Sequence, residues 1–543
     1  MSLVAELISM GDRLFGKRVQ LLSHWQEIAE QFSPGAADFT RTLQLGEDYA
    51  ADLMTSYPLL VARDLMGSFG SMLRPSKKDA AVMYVDGMEP HQGKAWLEWA
   101  TKIQRRAMHD RAAQYTIAAK DGEHDFTIFG NAVLTVERMP DRSSLLFRSW
   151  HLRDTVWVDG LSGAVECVHR KWETATAYEL ARTFGEKRLH QKVRDHLLKQ
   201  PGKDAYAEIR MRHIVLPTEL YHGEEKFRTP LVSIYVDVDN EHIVEVTGQR
   251  VNPYVIPRWQ RIKQCQYAYS PAVMCALPEA RLLQAMTYTL LQAGEKATNP
   301  PIVATQDAIV RGEIDVRAGG ITWVTADYDE RQGSVLRPMT IDKSGMPIGL
   351  ELQNRSESML LRAFYVDKLQ LPPRGGPQET AYEVSQRVQQ YVREALPLVE
   401  PVEIEFNGGV WERAFDVLMA DGAFGPYEDI PRELRGQDVQ FKFGSPLREQ
   451  VDGQKAMVFL DGVKLLQAGA AIDPAVANIP DAVTAMRDVL IGNGWETKWL
   501  RSPEAVQEAA DAEAEQAQAQ QMLGAMQQAA GVVKDLGGVQ PAV

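Results

Sequence analysis

Leu369-Gln370-Leu371-Pro372-Pro373-Arg374-Gly375-Gly376-Pro377 decides how the chain around it is read. Three prolines and two glycines in nine residues exclude a helix interior and a central strand, because proline has no N–H to donate. On its N-terminal side Leu352, Met359, Leu360, Ala363 and Phe364 recur at helical spacing and predict a helix over about 349–366. On its C-terminal side Thr380 and Glu383 form a capping box. Val384, Val388, Tyr391, Val392 and Ala395 carry that helix to Pro397. Further upstream, Ser270 is a good N-cap with Pro271 in the first turn. After Pro278 a helix restarts at Glu279 and continues through Leu282, Met286, Leu290 and Ala293 to Asn299-Pro300-Pro301. Between the two long helices, 302–304, 321–324 and 335–341 read as short strands. A helix of 20 residues spans ~30 Å. An antiparallel pair would therefore hold the strand-rich insert at one end and the Pro/Gly loop at the other. Taken alone, this layout is equally a plain helical hairpin with a β insertion.

The N-terminal region reads as mostly helix. Trp25, Ile28, Ala29 and Phe32 share a face that stops at Ser33-Pro34-Gly35. Further helices are predicted over 57–73 and 92–119, the latter with Trp96, Trp99, Ile103 and Ala107 on one side. From 130 to 260 the pattern changes to strands at 132–136, 155–158 and 165–171, a helix over 176–198, and a hairpin of 231–237 with 242–246. The class is α+β, predominantly helical. Between 501 and 530, ten Ala and seven Gln give a segment that is a weakly packed helix or partly disordered.

The length of 543 residues allows three or four domain-sized units and a large core. With 59 Lys+Arg against 73 Asp+Glu, the net charge of −14 excludes a sequence-independent coat on nucleic acid, since such binding needs excess cations. Cys167, Cys265 and Cys275 are too few and wrongly spaced for a disulfide framework or a zinc ribbon, so a reducing setting is expected. No run approaches the ~18 apolar residues of a membrane span, so a soluble chain with no membrane contact is expected.

Gly11-Asp12-Arg13-Leu14-Phe15-Gly16-Lys17-Arg18 nearly matches a phosphate-binding loop. Arg18 replaces the hydroxyl that would ligate magnesium, and no strand precedes it; an exposed turn or helix surface is expected instead. Asp237, Asp239 and Glu241 look metal-like, but His242 stands where a calcium loop needs glycine. A solvated hairpin tip is the better reading, and a metal-dependent nuclease using these three carboxylates is the weaker alternative. Lys102, Arg105, Arg106 and Arg111, and then Arg182, Lys187, Arg188, Lys192 and Arg194, are interleaved with acids and read as solvated faces. No catalytic residue, metal site or cofactor is expected.

Five stretches, in this order, resemble the portal, or head-to-tail connector, proteins of short-tailed double-stranded-DNA bacteriophages. They are 62–75, closing on Arg74-Pro75; Phe126-Thr127-Ile128-Phe129-Gly130-Asn131 running into 132–137; Pro257-Arg258-Trp259 with Tyr269-Ser270-Pro271 and Ala276-Leu277-Pro278; Thr380-Ala381-Tyr382-Glu383-Val384 with Arg387; and Phe443-Gly444-Ser445-Pro446-Leu447. Gln264-Cys265-Gln266 departs from the family pattern, and the Ala/Gln tail matches none of it. The resemblance implies a subunit with wing, helical stem, small α/β clip and helical C-terminal crown, assembling as a ring, usually of twelve copies. The wing would be 1–268, the first stem helix 269–298, the clip 299–347 and the second stem helix 348–366. A channel loop would follow at 367–379, the wing return and lower crown at 380–480, and the crown or tail at 481–543. Lys368, Gln370, Arg374 and Gln378 would meet passing double-stranded DNA. Arg311, Arg317, Trp323 and Arg331 would form the clip surface that docks terminase and the tail adaptor. Scaffolding and major capsid proteins would be further partners, with the ring at the capsid vertex of the virion after assembly in the host cytoplasm. Another virion protein, of the tail or inner core, is the alternative.

Overall fold

The computed structural model describes residues 2–44, 46–73, 81–85, 91–198, 204–223, 225–262, 265–304, 336–338, 345–369 and 381–443. Beyond these it describes 459, 462–467, 482–492, 495, 499, 501, 505–509, 512 and 516. The chain forms two compact units, one of residues 1–76 with 104–423 and one of 77–103 with 424–543.

Helix α1 (Leu3–Gly16) starts on Ser2, whose hydroxyl accepts the Ala5 N–H at 3.2 Å. The near match to a phosphate loop therefore lies on the surface of this first helix, as expected, with Asp12, Arg13, Gly16 and Lys17 exposed and its two ends buried. Gly11 is buried against His169, and Arg18 is buried with Nη1 donating to the carbonyls of Leu152 at 2.6 Å and Thr155 at 2.8 Å. In α2 (Val19–Phe32) Trp25, Ile28, Ala29 and Phe32 are buried, as their spacing predicts. Trp25 is the hub of an aromatic cluster with Phe39, Phe129 and Tyr267. Helix α3 (Tyr57–Leu73) follows, then strand β1 (Ala81–Tyr84) and α4 (His91–Met108).

The single helix expected over 92–119 is two. Asp110 accepts the Ala112 N–H and diverts the backbone into a short 3-10 turn, the competition a short polar side chain offers to helix. Gln114 is left-handed at φ 59, and α5 (Tyr115–Phe129) then begins.

Strands β2 (Leu134–Arg138) and β3 (Leu145–Ser149) form an antiparallel pair, and a five-stranded antiparallel sheet follows. Its strands, in spatial order, are β4 (Thr155–Asp159), β5 (Val165–Thr176), β6 (Glu208–Pro217), β7 (Leu231–Asp237) and β8 (His242–Gln249). Between β5 and β6 the predicted helix 176–198 is broken. Gly185 at φ +84 separates α6 (Ala177–Phe184) from a 3-10 turn and α7 (Gln191–Leu197). One face of the sheet packs Ile214, Leu216, Val232, Ile234 and Val236 under Val4 and Leu7 of α1. The other packs Trp172, Met211 and Val244 under Leu180, Phe184, Leu189 and Val193. Burial pushes the Cys167 thiol up to about 12.

A polar network crosses the second face. Arg170 is fully buried with its guanidinium carbon 3.5 Å from the Trp150 ring centroid. Its Nε donates to the Tyr254 hydroxyl at 2.8 Å. That hydroxyl is hydrogen-bonded to His213 Nδ1 at 2.5 Å, and His213 Nε2 to Ser233 Oγ at 2.8 Å. The hydrogen bonds along this path and the Trp150 ring under the guanidinium make its burial tolerable, although Arg170 Nη1 has no hydrogen-bond partner.

Strand β9 (Tyr254–Val255) joins β2, and β10 (Gln260–Arg261) pairs with β11 (Ala268–Tyr269). Helix α8 (Leu277–Thr298), strands β12 (Ile302–Ala304) and β13 (Leu336–Pro338), helix α9 (Gly345–Ala363), helix α10 (Ala381–Val402) and helix α11 (Gly409–Ala420) complete the first unit. Helix α10 does not stop at Pro397, and a π-helical stretch, Glu403–Gly408, leads on into α11. Buried Ala395, Val399 and Val402 hold it to the core across the hydrogen bond that proline removes. In the second unit β1 pairs antiparallel with β14 (Gln440–Phe443), and Met83 N–H donates to Thr101 Oγ1 at 3.1 Å. Helix α12 (Ala482–Gly492) lies in the same unit.

Candidate functional site

The paired helices α8 and α9 are the part of the chain whose build is most specific. Their start is set by the contact of two motifs far apart in sequence. Ser270 Oγ donates to the Ile128 carbonyl at 2.6 Å and accepts the Val273 N–H at 3.3 Å. Gly130, at φ +78, ends α5 directly beneath it, where a Cβ would stand 2.6 Å from Ser270 N. Asn131 continues the clasp, its side chain exchanging hydrogen bonds with the Ala268 N–H and carbonyl, both at 2.9 Å. Trp259 packs on Phe69 and Phe126, at 5.2 Å between centroids in each case. Residues of three of the quoted stretches thus meet at one place.

The first half of α8 is then pinned. Arg281 Nε donates to Glu27 Oε1 at 2.6 Å. Gln284 acts as a side-chain copy of a peptide group: its Oε1 accepts the Met54 and Thr55 N–H groups at 2.8 and 3.0 Å, and its Nε2 donates to the Thr55 carbonyl at 2.9 Å. Farther along, α8 packs on α9, where a Cβ on Gly349 would stand 2.8 Å from Leu290 Cδ2. Beyond those helices β12 and β13 pair antiparallel and bring the two ends of the insert together. Leu291, Ile348 and Leu350 are 58%, 61% and 53% exposed, and Leu282, Leu352 and Met359 are also exposed.

Helix α9 ends in a Schellman-type cap. Tyr365 N–H donates to Arg362 O at 3.1 Å and Val366 N–H to Leu361 O at 3.0 Å, with Tyr365 left-handed at φ 56. Phe364 is fully buried against Phe32, and Leu369 is buried with its carbonyl accepting the Tyr391 hydroxyl at 3.2 Å. Lys368 therefore stands on a fixed root. It is exposed, and its Nζ lies 5.7 Å from the Tyr365 ring centroid. The other expected channel-loop residues, Gln370, Arg374 and Gln378, lie outside the described residues, as do Arg311, Arg317, Trp323 and Arg331 of the expected clip surface. Thr380 of the capping box is outside them too. Gln284, Tyr365 and Tyr391 were not expected to matter. No local signal marks them, because their roles come from partners distant in sequence or from a backbone angle glycine usually takes.

Two constellations invite a chemical reading. At the hairpin tip, Asp237 Oδ1 accepts the Asp239 and Asn240 N–H groups at 3.1 Å each, and Asp239 is ion-paired with Arg210. The carboxylates are thus committed to the turn. Among the described residues no three His, Cys, Asp or Glu side chains are placed to hold a metal ion. The second is a Ser–His–Asp line: Ser33 Oγ is 2.7 Å from His124 Nε2, and His124 Nδ1 is 3.0 Å from Asp125 Oδ1. Burial opposes a charge on His124, but the Asp125 hydrogen bond and the charges of Asp125 and Asp121 outweigh it and raise its pKa. Ser33 also caps the C-terminal end of α2, with its N–H given to Ala29 O at 2.8 Å. The helix dipole there is negative and would repel an oxyanion. This line ties α2 to α5.

A family model described as bacteriophage head to tail connecting protein matches residues 4–500. No curated protein matches the chain. Among solved structures the chain is similar to a chain in the neck of an empty GTA particle computed with C6 symmetry. That likeness has 11% identity, covers 80% of this chain and 94% of that one, and has a TM-score of 0.34. It is also similar to a chain in the virion of a native gene transfer agent (GTA) particle, at 12% identity, 82% and 95% coverage and a TM-score of 0.33.

Proposed function

The chain belongs to the bacteriophage head-to-tail connecting proteins, and on that premise we propose that it is a portal subunit: twelve copies form a ring at the capsid vertex through which double-stranded DNA is packaged and later ejected. Its role is structural, with no catalysis of its own. In this reading 1–268 is the wing, 269–298 and 348–366 are the stem helices, 299–347 is the clip and 367–379 the channel loop. Residues 380–480 return through the wing to a lower crown, and 481–543 make the crown. The clip docks terminase and then the tail adaptor, and scaffolding and major capsid proteins contact the ring during assembly in the host cytoplasm.

The observation that carries this reading is the apolar surface of the α8–α9 pair. Leu291, Ile348 and Leu350 are each more than half exposed on helices that already pack on one another. Leaving them in water forgoes roughly 1.5–3 kcal/mol per side chain. In a ring each subunit offers two different matching surfaces, one to each neighbour, and apolar side chains left exposed on both helices of the pair fit that demand. At the inner end of the pair, the anchored Lys368 offers a phosphate backbone a brief contact from a fixed position. With 73 Asp and Glu against 59 Lys and Arg, the chain as a whole has no net attraction to retard sliding DNA.

Negative-stain imaging and native mass spectrometry of the purified chain test this. A closed ring with an axial opening is expected. A strict monomer at high concentration, a filament, or a ring without an opening overturns it, the last two pointing to another tail or inner-core component.

A further inference from the structure

We infer that the outer edge of β8 is a docking site for an extended acidic peptide, which joins the five-stranded sheet as a sixth strand. The two edges of this sheet differ. Along β4, the buried Arg18 side chain bonds the Thr155 carbonyl. Along β8, residues 243–247 make no backbone–backbone hydrogen bond except those to β7 among the described residues. Both faces of the sheet beside this edge are already packed, with Val244 against the α6–α7 side and Ile243 and Val246 against the α1 side. An added strand would extend a formed core.

A second observation names the occupant. A cleft of about 500 Å³ lies between this edge and residues 187–194, lined by Lys187, Arg188, His190, Arg194, His242 and Ile243. The His190 and His242 rings are 5.7 Å apart. Arg188 is ion-paired with Glu245. Lys187 and Arg194 are exposed and have no carboxylate partner among the described residues, while Asp195 accepts from Gln191. Free cations beside an unpaired strand edge fit a partner that has both carboxylates and a peptide backbone. A nucleic acid would satisfy the cations but has no row of N–H and C=O groups for the edge.

The test uses the full chain and two blocked ten-residue peptides, one alternating valine with glutamate and one alternating valine with lysine. The glutamate peptide is expected to slow hydrogen exchange of the 243–247 amides by about tenfold or more, and the lysine peptide not to. Lys187→Glu with Arg194→Glu should abolish the effect while the circular dichroism spectrum stays unchanged; if that pair does not fold, Arg194→Gln alone should weaken it. Equal protection by both peptides, or none by either, overturns the proposal. So does inorganic triphosphate or duplex DNA displacing the glutamate peptide without protecting the amides, which would mark a simple anion site. Protection that grows with protein concentration alone would assign the edge to a second copy and overturn it as well.

Discussion

Gly130 lies directly under Ser270: a methyl group on Gly130 would stand 2.6 Å from the Ser270 nitrogen and 2.6 Å from the Tyr269 carbonyl carbon. The contact is backbone against backbone, so no side chain can swing away to relieve it. It also joins the end of α5 to the start of the α8 segment, beside the hydrogen bonds of Asn131 and Ser270.

Gly130→Ala should therefore be costly. Left-handed strain contributes about 1 kcal/mol and overpacking about 1–3 kcal/mol. A total loss of about 2–4 kcal/mol is expected in urea unfolding. A loss under about 0.5 kcal/mol would show that the two segments separate freely.

Leu291→Lys and Leu350→Lys should separate folding from assembly. Both side chains are more than half exposed, so unfolding free energy should change by no more than about 0.5 kcal/mol. Sedimentation should nonetheless show loss of the ring. Rings that persist in both variants would move the subunit contact elsewhere.

His124 makes stability fall toward alkaline pH. Its folded pKa is raised above 6.5, because Asp125 and Asp121 outweigh the cost of burial. The sign is that of a base with a raised pKa: the contribution is complete below about 6.5 and lost as pH rises through the folded value. His124→Gln should remove this slope from unfolding measured between pH 6 and 9. A wild-type curve already flat over that range would contradict it.

His169 acts in the opposite direction. Burial first, and then the Arg212 charge, lower its pKa to about 4, with Asp12 acting weakly against them. The folded state therefore binds its proton less readily than the unfolded chain. Stability is lost as pH falls below about 6.5 and on down to about 4, by an amount on the order of 3 kcal/mol. His169→Gln should shift the acid unfolding midpoint, followed by tryptophan fluorescence, to lower pH. An unmoved midpoint would place acid sensitivity elsewhere.

Much of this fold was legible where burial follows the period. Helix α8 was expected from 279 and runs Leu277–Thr298; the α9 segment was expected over 349–366 and runs Gly345–Ala363. The hairpin of β7 and β8 was placed correctly for the same reason. Strand β6 escaped notice although it is the middle of its sheet. It buries Arg212 and His213 among its apolar residues, and buried cations and imidazoles mimic a solvated segment when their partners, Asp12 and Tyr254, are out of sight. The end of α9 was hidden for another reason. A left-handed cap is normally announced by glycine, and Tyr365 announces nothing. The family resemblance rested on short stretches whose purpose became visible only in space, as Phe129-Gly130-Asn131 closed on Tyr269-Ser270.

The three hydrogen bonds of Gln284 have a mechanical consequence. They clamp α8 near its first third, while farther along toward β12 and β13 it packs on α9. A helix pair held this way is a lever with its fulcrum at residues 54–55. A push on the far end arrives there as torque, shared between one amide and the Arg281–Glu27 pair. Load applied by whatever grips that end is thus delivered to the loop before α3, and that loop sets how stiffly the whole lever answers.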